Sequence, residues 1–168
     1  MTSDPYATHL PVLKAIPRLW PIQRVAEFGS GLYSTPTFLD REVYPDLKFL
    51  WSNESDLEWA RQHQPKEKYD PRYSPTYFSE ELAIAEMIRM GQADLVLVDG
   101  ATEKMRPVTA IAASVIAPLI VLHDAENESY RRAIDFFPRR YIYQRETPWT
   151  AVLSDTIDLE PLRLMLEA

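Results

Sequence analysis

The sequence predicts an α/β fold: a doubly wound, mainly parallel sheet flanked by helices, with a C-terminal antiparallel hairpin. Three observations predict it. Apolar runs short enough to be buried strands alternate with segments whose apolar residues recur at helical spacing, and such alternation builds parallel sheets through right-handed crossovers. The first run, Val25-Ala26-Glu27-Phe28, empties through Gly29-Ser30-Gly31 into a helix, the strand–turn–helix opening of an open α/β sheet. Two late strand-like runs, near residues 140–144 and 150–154, lie too close in sequence for a helical crossover and should pair antiparallel.

In chain order, residues 1–21 form a leading helical segment. Leu10, Val12, Leu13, Ile16, Leu19 and Trp20 follow a helical period interrupted by Pro11, Pro17 and Pro21. Pro11 suits a first turn, whereas Pro17 should stop or kink the helix, which covers the sheet edge or frames a pocket. After the glycines, residues 34–42 should be helical, with Pro36 early enough to be tolerated, and residues 47–51 should be the second strand. Ser55 and Glu58 read as a capping box, which starts a helix over residues 55–63 and leaves Glu54 in the turn before it.

Residues 64–78 mix Pro65, Pro71 and Pro75 with Tyr69, Tyr73, Tyr77 and Phe78, so an irregular ordered loop is expected, with room for a short third strand only near residues 68–73. Ser79 should cap a helix to Met90, whose apolar face is Leu82, Ile84, Ala85, Met87 and Ile88, and Gly91 should end it. Residues 94–98 are apolar after Asp94, as in a strand covered on both faces. A helix from residue 106 or 107 to 116, a strand over 119–122, a helix over 127–137, the hairpin and a closing helix over 157–166 complete the chain.

A length of 168 residues suits a single domain, and the net charge of −7 disfavours nonspecific binding to nucleic acid or to anionic membranes. With no cysteine, disulfides and thiolate metal sites are excluded, which suits a reducing compartment. No apolar run approaches the roughly 20 residues of a membrane span. The start Met1-Thr2-Ser3-Asp4-Pro5 does not read as a signal peptide, so a cytoplasmic location is expected.

Open α/β sheets bind ligands at the carboxyl ends of their strands, where this chain places Glu27, Glu54, Asp99, His123 and Asp124. Gly29 and Gly31 let the backbone turn sharply and approach a ligand closely, with Ser30 between them. A carboxylate at Glu27 would repel a diphosphate and attract a ligand carrying an ammonium and a sulfonium, as S-adenosylmethionine does. Ser34 stands where the dinucleotide fingerprint packs a third Gly or Ala, which further disfavours a nicotinamide-dependent oxidoreductase. Glu27 could pair with the methionine ammonium directly or through water, or be satisfied by loop amides. Glu54 could hold ribose hydroxyls, or be a helix-start acid stabilised by the dipole.

Glu27-Phe28-Gly29-Ser30-Gly31 resembles the first motif of the class I S-adenosylmethionine-dependent methyltransferases, whose fold is Rossmann-like. Asn53-Glu54-Ser55-Asp56-Leu57-Glu58-Trp59 is similar to the acidic end of that family's second strand, residues 93–100 to its fourth strand and residues 118–124 to its fifth. The resemblance implies that S-adenosylmethionine is the cofactor, bound by Glu27, Gly29, Ser30, Gly31 and Glu54, and it places Asp99 near the reactive methyl. Asp99, His123 and Asp124 are the candidate catalytic residues. His123 with Asp124 is the best acid/base pair in the chain, although a histidine at a strand end can equally be hydrogen-bonded structure. Arg106 is a candidate ligand for a substrate carboxylate or phosphate.

Catechol-type members of the family hold magnesium with acids from the same strand ends. Their pattern has Asn directly after the second Asp, and Ala125 stands there, so no metal is expected. The function expected is methyl transfer to an oxygen or nitrogen of a small molecule or sugar. The alternative is a non-catalytic binding or assembly subunit of the same fold, and oligomerisation is compatible with either.

Overall fold

The computed structural model describes residues 4–63, 65–100 and 102–168. Residues 1–3 of the leading segment and Gln64 of the irregular segment lie outside the described residues. Seven strands, β1 (Arg24–Phe28), β2 (Phe49–Asn53), β3 (Tyr73–Thr76), β4 (Leu95–Val98), β5 (Leu119–His123), β6 (Arg139–Tyr143) and β7 (Thr150–Ser154), form one sheet in the order β3-β2-β1-β4-β5-β7-β6. The first five are mutually parallel, and β7 runs antiparallel to both β5 and β6. The doubly wound sheet and its late hairpin are therefore as the sequence predicts.

The helices are α1 (Leu10–Leu19), α2 (Ser34–Leu39), α3 (Leu57–Gln62), α4 (Glu80–Met90), α5 (Met105–Ala113), α6 (Arg131–Phe136) and α7 (Glu160–Glu167). Two apolar cores result, because residues buried on both faces alternate along each central strand. One gathers Leu13, Ile16, Phe38, Leu50, Leu97, Val121 and Leu162, and the other Trp51, Met87, Val96, Ala110, Ile120 and Phe137. The order of strands reverses between β1 and β4, so the connections leaving these two run in opposite directions and open the crevice in which such sheets bind ligands.

Four local expectations need correction. Helix α1 continues through Pro17 to Leu19, because the Leu13 carbonyl that Pro17 cannot serve accepts instead from the buried Tyr44 hydroxyl at 2.7 Å. Asp56, not Ser55, caps α3: its carboxylate accepts from the amides of Glu58 and Trp59, an acid at the cap being as good as a serine. The third strand lies at Tyr73–Thr76 and includes Pro75, which is tolerated because β3 is a sheet edge. On α4 the buried positions are Ala83 and Met87, while Leu82 and Ile88 are 61% and 45% exposed, and the Ser79 side chain makes no capping bond. Among the described residues, no helix is long and apolar enough to cross a membrane.

Candidate functional site

The glycine turn is stitched to its neighbours on both sides. The Gly29 amide donates to the Asn53 carbonyl at the end of β2, and the Asp99 amide donates to the Phe28 carbonyl at the end of β1, each at 2.8 Å. Gly29 has φ +88°, and a Cβ there would lie 2.3 Å from the Asp99 carbonyl oxygen, so only glycine fits. The Gly31 amide donates to the Thr35 hydroxyl at 3.2 Å, and that hydroxyl donates to Glu27 at 2.8 Å. The Ser52 hydroxyl donates to the same Glu27 oxygen at 2.5 Å. The Trp59 indole fixes the outer side of the turn by donating to the Ser30 carbonyl at 3.0 Å.

Glu27 is fully buried behind this turn and does not reach the cavity wall, so it cannot meet a ligand ammonium directly. Burial pushes its carboxyl up to about 7, against the pull of the Ser34, Ser52 and Thr35 hydroxyls. The Ser34 hydroxyl nevertheless closes no bond of good geometry, and the second carboxylate oxygen has no hydrogen-bond partner among the described residues. Glu54 is buried at the end of β2 and accepts from the Asp56 amide at 2.8 Å; burial raises its pKa as well. Neither acid makes an ion pair among the described residues.

The opposite side of the crevice is built on cations. The Arg106 guanidinium, from the first turn of α5, donates to the Gly100 carbonyl at 2.6 Å, pairs with Asp124 and lies 3.4 Å from Asp99. His123 Nδ1 is 3.1 Å from Asp99, and its Nε2 is 2.9 Å from the Thr8 hydroxyl. Asp124, at φ +56°, turns its carboxylate to Arg106. Burial alone would raise Asp99, but the His123 hydrogen bond and the charges of His123, His9 and Arg106 hold it below the usual carboxylate range. His123 stays above its ordinary value because Asp99 and Asp124 outweigh the burial that would lower it.

Between the two sides lies a cavity of about 260 Å³, walled by Gly29, Ser30, Gly31, Glu54, Asp99 and Arg106 together with Tyr6, His9, Tyr33, Asp56 and Trp59. Six of the nine residues singled out in the sequence thus share one wall. Glu27, His123 and Asp124 stand behind it, buried or turned aside. Arg106 reaches the wall with its guanidinium already committed to Gly100, Asp99 and Asp124, so a substrate anion would have to compete for it.

Sequence reasoning missed Tyr6, His9 and Trp59. The Asp4 carboxylate, joined to the Tyr33 hydroxyl at 2.6 Å, caps a short 3-10 helix, Pro5–Ala7, beside the cavity, and the Tyr6 ring packs 5.7 Å from that of Trp59. The signal for Tyr6 and His9 was a cluster of polar and aromatic residues directly ahead of the amphipathic helix α1, whereas Trp59 closes the motif that begins at Asn53.

No family model matches the chain, and no curated protein matches it in sequence. Solved structures do match in shape. The spermidine synthase of Thermotoga maritima is similar at 19% identity and TM-score 0.62 over 96% of this chain, which spans 64% of the synthase. The O-methyltransferase TomG from Streptomyces achromogenes, in complex with SAM, matches at 15% identity and TM-score 0.66, over 87% of this chain and 79% of that one. Human methyltransferase-like protein 13, in complex with SAH, matches at 16% identity and TM-score 0.58, over 96% and 88% of the two chains. With its strand order, its glycine turn and these likenesses in shape, the chain has the Rossmann-like fold of the class I S-adenosylmethionine-dependent methyltransferases.

Proposed function

We propose that the chain acts as a single methyltransferase-like domain, binding S-adenosylmethionine in the crevice and transferring its methyl to an oxygen or nitrogen of a small molecule or sugar. The observation that carries this reading is the cavity where β1, β2 and β4 end, bounded by a glycine turn and by acids that lack cationic partners on one side only. The amides and carbonyls of Gly29, Ser30 and Gly31 line the methionine end, and Glu54 accepts the ribose hydroxyls. Glu27 acts from behind the turn, holding Gly31 through Thr35 and contributing negative potential when ionised. The resemblance of the motifs and the SAM and SAH bound in two structures of like shape support the choice of donor.

Asp99 faces the cavity beside the place where the methyl is presented. It accepts the hydrogen bond of the acceptor's hydroxyl or amine and aligns a lone pair with the carbon–sulfur bond, so that the rate comes chiefly from in-line positioning. As the new bond forms, the sulfur keeps the electron pair of the broken one and leaves as the thioether. The acceptor's proton passes to Asp99 or to solvent. His123 and Asp124 are positioning residues, the first holding Asp99 and the second holding Arg106.

The test is to incubate purified protein with methyl-labelled S-adenosylmethionine and a panel of phenols, amines and sugars, following S-adenosylhomocysteine. Product should form with at least one acceptor, and Asp99→Asn should slow it by about 100-fold while donor affinity holds. Donor binding without transfer to any acceptor would favour a non-catalytic binding subunit, and absence of donor binding would overturn the methyltransferase reading in favour of the assembly role.

A further inference from the structure

His9, at the N-terminal end of α1, is 2% exposed, yet neither of its ring nitrogens has a hydrogen-bond partner among the described residues. A buried polar atom left unpaired is costly, so such a side chain in a native fold calls for a partner. Its Nδ1 lies 4.0 Å from one Asp99 oxygen, and the other Asp99 oxygen lies 3.1 Å from His123 Nδ1. One ligand atom from each of the three residues falls within 4.8 Å of the others. Around an ion with bonds of about 2.0–2.2 Å, neighbouring ligand atoms stand about 3–4 Å apart, so small side-chain adjustments would close the set.

We propose that His9, Asp99 and His123 form a binding site for a divalent first-row transition metal of the zinc or ferrous class, with its remaining coordination positions open to the cavity. Two imidazoles and one carboxylate suit these ions, which accept nitrogen, and do not suit magnesium or calcium, which prefer oxygen throughout. This set differs from a magnesium site built on the acids of the two strand ends, since Asp124 is turned to Arg106.

The surroundings are those of a metal ligand set. The Thr8 hydroxyl donates to the Pro5 carbonyl at 3.4 Å, so its lone pair is free to accept from His123 Nε2, which directs Nδ1 inward. The nearby cation, Arg106, is balanced by Asp124, and its approach to Asp99 is to the oxygen facing His123, which leaves the oxygen facing His9 free of it. The ligands come from the leading segment and from the ends of β4 and β5, so an ion would tie the segment beside the cavity to the sheet. The proposal does not rest on methyl transfer; it needs only the geometry of these three residues.

Metal-free full-length protein should be titrated with Co²⁺, read by its visible bands, and with Zn²⁺ in competition with a chromophoric chelator. One equivalent should bind in the micromolar range or tighter. His9→Phe and His123→Phe, which keep ring packing, should each weaken binding by about 100-fold or more, and Thr8→Val by about 10-fold. His63→Ala, which removes the remaining histidine of the chain, should change nothing. Circular dichroism and thermal melts of each metal-free variant identify any that fails to fold. In that event the Asp99→Asn and Thr8→Val affinities carry the test. Failure to bind either ion below about 100 μM, or binding that survives both ring substitutions, would overturn the proposal.

Discussion

The two sides of the crevice carry similar numbers of acids and treat them in opposite ways. On the β1–β2 side, Glu27 and Glu54 are buried among hydroxyls and amides, and both are pushed above the ordinary carboxylate range. On the β4–β5 side, Asp99 and Asp124 are matched by Arg106 and His123, and Asp99 is held below that range. A buried acid without a cation is costly unless something positive arrives. The first side therefore leaves its acids for a cationic ligand to balance, whereas on the second Asp99 and Asp124 already have cationic neighbours within the fold.

The largest effect expected is at the seam between the sides. Gly29→Ala would drive a methyl into the Asp99 carbonyl, so stability should fall by about 2–4 kcal/mol in denaturant melts and adenosyl-ligand affinity by more than about 100-fold. Gly91 also has positive φ, but a Cβ there meets nothing within 4 Å. Gly91→Ala should cost about 1–3 kcal/mol of backbone strain and leave affinity unchanged.

Glu27 gives the next effect. The folded chain holds its proton up to about 7, while the unfolded chain releases it near 4.5, so the folded state binds more protons within that window. Stability should fall as pH rises from 4.5 to 7, by up to about 3 kcal/mol. The penalty is absent below the window and complete above it, and Glu27→Gln should flatten this slope in pH-dependent urea melts.

Arg106→Met tests the other side, where it would leave Asp99 and Asp124 with His123 as their one remaining cationic neighbour among the described residues. With Asp124 about one-third exposed, the cost should be about 2 kcal/mol, and transfer should suffer far more than donor affinity. Equal losses in both would mean that Arg106 serves the donor as well.

The central strands are legible because residues 95–98 and 119–122 are uniformly apolar runs that only burial on both faces explains. Strand β3 is not, since Pro75 and the tyrosines mask its period, and what makes it a strand is backbone pairing to β2 at an open edge. The same division holds at the cavity. Gly29, Gly31, Glu54 and Asp99 follow from a rule about strand ends. His9 and Tyr6 reach the wall only because the leading segment folds back through Thr8–His123 and Asp4–Tyr33, contacts more than 25 residues apart that no local pattern encodes. Asp56 in place of Ser55 shows the finer limit: adjacent residues of equal capping ability are separated by one backbone turn.

The unbalanced negative charge on the β1–β2 side is tested most directly by calorimetric titration of the wild-type chain and Glu54→Gln with S-adenosylmethionine, S-adenosylhomocysteine and ADP. Both adenosyl ligands should bind at micromolar to sub-millimolar concentrations and weaken about tenfold in the variant, while ADP gives no heat. ADP binding as tightly as the adenosyl ligands, or adenosyl affinity indifferent to Glu54, would contradict the account.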